Sequence, residues 1–417
     1  MKPEKPVLVA GAAALIFALA CSTLTSAFPT PAPTAAPTLS AQSQQLKVFE
    51  AVWTTVNEHY VRVDFDGVNW QAVGDEYRAR VAAGLSDDDF AAALRALLAE
   101  LPAGQASFQT RAERLAAETE DTVHYQGIGA FISFRARPAP HVVILEVMDD
   151  SPAAQAGLQA HDSIYAIDGT AVRADEADTA ADRIRGPADS SVTLTVQSPG
   201  RPRRDVTVPR GNVTVSDALR GGGLRELELI YYRVPVITDP QLAATMAEHL
   251  LTTAAQFKAR GIILDLRVAH SGGSDWPLPG MLTLFGDGQV GETYDRTRSE
   301  PLTVEGKDFG GSQNTPLVIL IGPDTQGLPE ILAGALRDAG RATLIGLPTP
   351  GAIQGYEAFP LPDGSRLFLA TSSFRTSQGT DFASRGLQPD IVVNSDWDAV
   401  TTEADPVLEA AIAYLTE

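Results

Sequence analysis

Residues 316–340 read PLVILIGPDTQGLPEILAGALRDAG, the pattern of a strand, a tight turn and a helix. PLVILIG is the continuous apolar run of a strand covered on both faces. The helix carries Pro in its first turn and Gly just past its end. An α/β enzyme places a nucleophile in such a turn, yet PDTQG, residues 323–327, holds neither Ser nor Cys. Its one hydroxyl is Thr325. A second hydroxyl, Ser271, stands beside His270 in the glycine loop RVAHSGG, residues 267–273, after the apolar run IILDL. A hydroxyl attacks a carbonyl only when a base takes its proton. A Ser–His pair also needs an orienting partner and about 3 Å geometry, which spacing alone does not fix.

Other chemistries find less support. The six histidines are scattered, with no H-E-x-x-H spacing, so no metal site is expected, nor any cofactor. No GxxxxGK[ST] phosphate loop occurs, and SGGSD, residues 271–275, is a weak glycine cluster. The formal net charge of -20 argues against nucleic-acid binding through phosphate contacts. Lysine is scarce: Lys2, Lys5, Lys47, Lys258 and Lys307 are all there are.

The chain is 417 residues long and 44% hydrophobic, enough for two or three domains. Its start, MKPEKPVLVAGAAALIFALAC, has a short basic region and about fifteen apolar residues, the pattern of a secretory signal. The single cysteine, Cys21, follows small residues as in a bacterial lipobox, although Ala18 stands where Leu is usual. Residues 1–21 are therefore read as a signal peptide with lipidation on Cys21. The mature protein would be anchored to a membrane at the outer face of the cytoplasmic membrane. Residues 22–43, rich in Pro, Thr, Ala and Ser, form an uncharged, disordered linker.

Three patterns follow. Residues 44–119 are helical: LKVFEAVWTTVNEHY aligns Leu46, Phe49, Val52, Trp53 and Val56 on one face, and Ser86 with its acidic followers starts another helix. Residues 125–213 are strand-rich, with a hairpin signal at Asp168-Gly169. From 224 to 417 strands and helices alternate, which predicts an α/β core with a mostly parallel sheet. The fold class is an α/β multidomain protein.

From about Gln44 onward the chain resembles the C-terminal processing peptidases, or tail-specific proteases. GIGA (127–130) and DDSPAAQAGLQAHDSIYAIDGTAV (149–172) are similar to their PDZ domain, with His161 in place of the usual Gly. ARGIILDLR (259–267), EILAGALRDAGRATLIG (330–346), FPLPDGSRLFLATSSF (359–374) and RGLQPDIVV (385–393) are similar to their protease core, in the same order. The resemblance implies a helical N-terminal domain, a PDZ-like domain and a protease-like core. It also implies serine-type proteolysis of C-terminal tails in the cell envelope.

That family uses a Ser–Lys dyad, and this chain departs from it. The position matching the nucleophile is Gly327, and the position matching the lysine is Ala352 in TPGAIQG. Asp338 matches an auxiliary Asp in the middle of the helix. Gly272 and Gly273 match the oxyanion loop, which is one residue longer here and lacks Asn-Pro. A glycine has no side chain to acylate and an alanine takes no proton. The resemblance therefore implies an inactive member that binds unstructured peptides or protein C-terminal tails. Backbone N–H groups near Gly127, Ile128 and Gly129 would cradle the tail carboxylate, and Glu330 at the cleft mouth would oppose an anion. The alternative is an active serine-type endopeptidase with a relocated nucleophile, Ser271 or Thr325.

Overall fold

In the strands Gly261–Asp265 and Leu317–Ile321 every residue is buried, as their unbroken apolar runs require. The computed structural model describes residues 40–119, 124–176, 179–236, 240–271, 276–401 and 404–417. The signal segment with Cys21, most of the linker, and Gly272 and Gly273 lie outside the described residues. The first described helix, Ala41–His59, takes in the last three residues assigned to the linker. Among the described residues no helix is long and apolar enough to cross a membrane.

The two buried strands sit at the centre of a six-stranded sheet. Its order is Arg220–Leu224, Leu229–Arg233, Gly261–Asp265, Leu317–Ile321, Ala342–Gly346, Ile391–Val392. The first pair is antiparallel and the other four are parallel. The sheet is thus mostly parallel, with one antiparallel edge. Helices Leu242–Ala254, Leu278–Phe285 and Leu328–Asp338 supply buried side chains to one cluster. The helix Pro406–Thr416 packs in another with Leu229, Ile263, Val318 and Ile345. Alternate residues of the central strands go to the two clusters, so helices cover both faces.

A second sheet is antiparallel. Arg366–Thr376, eleven residues long, pairs with Ala106–Gln109, Gly288–Asp295 and Gly355–Pro360. Ala106–Gln109 comes from the N-terminal region expected to be wholly helical. Phe49, Val52, Leu94 and Leu97 of the helices share a core with Leu361, Leu367 and Leu369. The N-terminal helices therefore complete their core on the protease-like part instead of closing one of their own. The short strand escaped sequence reading because its partner lies far along the chain.

Residues 130–209 form an antiparallel sheet in the order Ala130–Arg135, His141–Val147, Ser163–Ile167, Ser191–Gln197, Arg204–Pro209. A two-stranded ribbon, His124–Gly127 with Gly211–Thr214, closes this unit. The Asp168-Gly169 turn is present, with both residues at positive φ between Ser163–Ile167 and Thr170–Ala171. His161 also has positive φ, +76°, where the resembling sequences carry Gly. Its Nδ1 lies 2.7 Å from the Trp397 carbonyl and its ring 4.3 Å from the Trp397 ring, contacts that glycine cannot make.

Candidate active site

The strand Leu317–Ile321 delivers the turn 322–327 to the start of the helix Leu328–Asp338. Thr325 stitches this turn. Its hydroxyl donates to the Leu266 carbonyl at 2.8 Å and accepts from the Gly322 N–H at 2.9 Å. It is fully buried. Thr325 is therefore not a relocated nucleophile: its proton is committed and no substrate reaches it.

Gly327 stands at φ +76°, ψ −128°. Side-chain-bearing residues adopt that conformation only under strain, and a strained strand-to-helix turn is how α/β-hydrolases, a different group of enzymes, expose a nucleophile. Gly327 makes a turn of that kind, an elbow, and carries no side chain. Beside it runs the segment 268–271. The Gln326 N–H donates to Ala269 O at 3.1 Å, and the Ser271 N–H to Gln326 O at 3.2 Å.

This bridge carries the Ser271 hydroxyl to the elbow. Its Oγ lies 2.1 Å from the point where a Cβ on Gly327 would stand. The Leu328 N–H, a first-turn donor of the helix, donates to it at 2.9 Å. Ser271 Oγ thus fills the space that a side chain at 327 would take, and it occupies the amide next to the elbow. Among the described residues no basic side chain bonds its Oγ, and the imidazole of His270 makes no hydrogen bond to it.

Glu330 joins the two positions that the resemblance matched to the dyad. The Gly327 N–H and the Ala352 N–H both donate to its Oε2, at 3.0 and 2.8 Å. The Gly351 N–H donates to Oε1 at 2.7 Å, and so does the Thr349 hydroxyl. The loop carrying Ala352 is fixed from behind as well: Thr349 N–H bonds Leu387 O, and Ser384 N–H bonds Gly351 O. Glu330 is fully buried, and burial pushes its carboxyl above the ordinary carboxylate range against the pull of these four donors. It does not stand at the cleft mouth as a free charge opposing an anion. It binds the elbow to the Ala352 loop.

Asp338 is elsewhere. It is the last residue of the helix, about 15 Å along the axis from Leu328. Its carboxylate accepts from the Thr376 hydroxyl at 2.5 Å and from Arg337 Nε at 2.8 Å. Burial raises its pKa, and these bonds outweigh that and hold it below the usual range. Asp338 ties the helix end to the antiparallel sheet and takes no part in the turn.

A further contact reaches the turn from the 124–214 unit. Ser133 Oγ donates to Asp324 Oδ1 at 2.5 Å, and Arg135 pairs with the same carboxylate and with Asp396. Both come from the edge strand Ala130–Arg135, and Asp324 lies three residues before Gly327. Beside the ion pairs, Val143 and Leu145 pack on Val236, Val268 and Trp397. Nothing local in the sequence signals this clamp. Glu330 had a signal: a Glu at the third helical position reaches back to the N-cap amide.

Of the expected tail-binding residues, Gly127 ends a strand paired with Gly211, Ile128 is buried, and Gly129 has φ +78°. The carbonyls of Ile128 and Gly129 accept from Ala153 and Met148, which fixes the loop.

Comparison with known proteins agrees with this layout. The peptidase family S41 profile matches residues 231–393, a PDZ domain profile 143–198, and a tricorn protease C1 domain profile 44–99. The chain is 28% identical over 388 residues to a chloroplastic C-terminal processing peptidase of Tetradesmus obliquus, covering 87% of this chain and 80% of that one. It is 28% identical over 395 residues to a carboxyl-terminal-processing protease of Synechocystis sp., covering 91% and 89%. The structure of a photosystem II D1 C-terminal processing protease superposes with a TM-score of 0.63 at 25% identity, covering 91% and 98%. With its PDZ domain, its mostly parallel core and its elbow before the helix Leu328–Asp338, the chain belongs to the C-terminal processing peptidases, a serine peptidase family.

Proposed function

We propose that this chain is a pseudoprotease of the C-terminal processing family, which binds peptide or protein C-terminal tails without cutting them. One observation carries the reading. Glu330 holds Gly327 and Ala352 to a single carboxylate oxygen, so the two positions matched to the dyad are adjacent and neither carries a reactive group. A Ser–Lys mechanism needs a hydroxyl at the first and an amine at the second. Among the described residues Ser271 Oγ has no base to take its proton.

Binding draws on what survives such losses. Among the described residues the edge strand Ala130–Arg135 pairs on one side only, with His141–Val147, which leaves its other side for an added peptide strand. The loop 127–130 beside it supplies backbone N–H groups for a terminal carboxylate. The signal pattern before Cys21 supports an exported protein, lipid-anchored in the cell envelope.

The test is incubation of the purified chain with an unstructured protein ending in apolar residues, with Ser271→Ala as a parallel variant. The expected result is retention of the substrate and no cleavage by either. Cleavage by the parent that disappears in Ser271→Ala would replace this reading with that of an active peptidase whose nucleophile is Ser271.

A further inference from the structure

The strand Gly355–Pro360 leaves the candidate site with one edge unpaired. It starts three residues after Ala352, whose N–H shares a Glu330 oxygen with the N–H of Gly327. Its first residue therefore lies within about 11 Å of that loop position. Among the described residues the strand pairs with Arg366–Thr376 alone. All of its residues are exposed except the half-buried Phe359, so no other element covers it.

The pairing fixes where the free backbone groups point. Ala370 stands opposite Tyr356. Its N–H donates to Gln105 O at 2.9 Å and its carbonyl accepts from the Val61 N–H at 3.0 Å, both on the side of Ala106–Gln109 and away from Tyr356. Tyr356 and Ala370 are therefore a non-hydrogen-bonded pair, and the N–H and C=O of Tyr356 point outward. By the alternation of an antiparallel ladder those of Ala358 do the same, while Glu357 and Phe359 turn theirs to Leu369 and Leu367. Residue 360 would bring the next outward N–H, and it is Pro, which strands carry at an outward-facing edge position. Among the described residues no hydrogen bond reaches the outward groups of Tyr356 and Ala358. Tyr356 itself is braced, its hydroxyl donating to Gly104 O at 2.7 Å, and it stays 47% exposed.

We infer that Gly355–Pro360 is a second peptide-docking edge, which takes an internal, extended segment of an unstructured polypeptide by strand addition. Tyr356 and Ala358 offer two donors and two acceptors at i, i+2 spacing, the set that a neighbouring strand uses. These groups read backbone and not a chain end, so this edge goes beyond the tail seat of the PDZ domain and needs no terminal carboxylate. The occupant is a flexible segment and not a second copy of this chain, because copies that each carry a formal charge of -20 repel one another. The same charge, with Glu357 on the strand itself, disfavours acidic segments. The exposed Tyr356 favours an aromatic or β-branched residue beside it.

The test uses the full chain with Ala358→Pro, which removes one outward N–H and leaves the bonds to Arg366–Thr376 in place, and Ala358→Val, which keeps that N–H. The probe is a fluorescent, unstructured peptide of about fifteen residues rich in Val, Thr and Ser, acetylated and amidated so that it has no free end, and the same peptide as the free acid. Binding of the capped peptide should weaken about 3- to 10-fold in Ala358→Pro and stay unchanged in Ala358→Val. In the parent chain, the capped peptide should slow amide exchange at Tyr356 and Ala358, a readout that does not depend on how either variant folds. Equal binding of the capped peptide by parent and Ala358→Pro, no slowing at those two amides, or no binding of the capped peptide at all would overturn the edge. Binding of the free acid alone, indifferent to Ala358→Pro, would overturn the edge and leave the tail seat standing. Capped and free peptides bound equally, both weakened by Ala358→Pro, would support the edge and remove the tail seat. A parent chain that sediments as a dimer, and as a monomer once Ala358→Pro is introduced, would overturn the peptide as occupant and put a second copy there.

Discussion

The hydroxyl of Ser271 and a side chain on Gly327 claim the same volume: Ser271 Oγ is 2.1 Å from the glycine's missing Cβ. The two positions are coupled. A serine restored at 327 would meet both the strain of φ +76° and the displaced hydroxyl. Gly327→Ser is expected to destabilise the protein by about 1–3 kcal/mol. Adding Ser271→Gly should recover part of that loss, giving a coupling of at least about 0.5 kcal/mol in a double-mutant cycle from urea denaturation. Strict additivity would show that the two side chains do not share the slot.

Glu330 offers a second test. Its carboxylate satisfies three backbone N–H groups and the Thr349 hydroxyl in a buried setting. Glu330→Ala leaves these donors unpaired and is expected to cost about 3–5 kcal/mol. Glu330→Gln keeps one acceptor and turns an NH₂ toward donors, so it should cost less than Ala and still more than about 1 kcal/mol. In hydrogen exchange the amides of Gly351 and Ala352 should lose protection first. Retained protection there would assign the loop's rigidity to its contacts with residues 382–387 instead.

The sequence made the core legible and left the couplings hidden, for physical reasons. LVILI and GIILD have no polar residue before the final Asp265, which only a strand covered on both faces tolerates. Asp168-Gly169 names its own turn. In contrast, Ala106–Gln109 is only four residues, too short for its alternation to stand out, and its strand identity comes from pairing with the distant strand Arg366–Thr376. Asp324 with Arg135, and Ser271 with Gly327, are contacts between distant segments and leave no periodicity. The dyad positions were readable only through resemblance. Their adjacency depends on Glu330, whose position in the helix was legible while its partners in the Ala352 loop were not.

The docking of the PDZ domain carries a pH dependence. His141 is buried, with Nδ1 2.7 Å from Ala139 O and Nε2 2.9 Å from Asp398 Oδ2. Burial lowers its pKa, but the bonds to Asp398 and Ala139 prevail and raise it above the ordinary histidine value. The His141 bond in turn lowers the Asp398 pKa. With the folded His141 pKa raised, the charged pair's contribution is fully present below the unfolded histidine pKa of about 6.5 and is lost as pH rises through the folded value. Asp398 sets the acid limit: its share is lost as pH falls through its own lowered pKa. The melting temperature should therefore decline above about pH 6.5, and His141→Phe should flatten that decline. A parallel decline in both proteins would place the titrating group elsewhere.

The clamp between the PDZ edge strand and the elbow turn gives the last test. Arg135 is mostly buried between Asp324 and Asp396, and Ser133 completes the partners of Asp324. Removing one member of such a pair leaves the other charge buried and unpaired, at about 3–5 kcal/mol. Arg135→Ala should be the costliest change, because it strands two carboxylates, whereas Ser133→Ala removes a single hydroxyl donor and should cost about 1 kcal/mol. The effect should travel along the chain. Asp324 precedes Thr325, whose hydroxyl joins the turn to Leu266, and Thr325 precedes the bridge that holds Ser271 in its slot. In Arg135→Ala, amide exchange should therefore quicken at Gln326 and Leu328 as well as in the strand Ala130–Arg135. Quickening confined to the strand would mean that the turn is held by the core alone, and that the PDZ domain docks beside the elbow without bracing it.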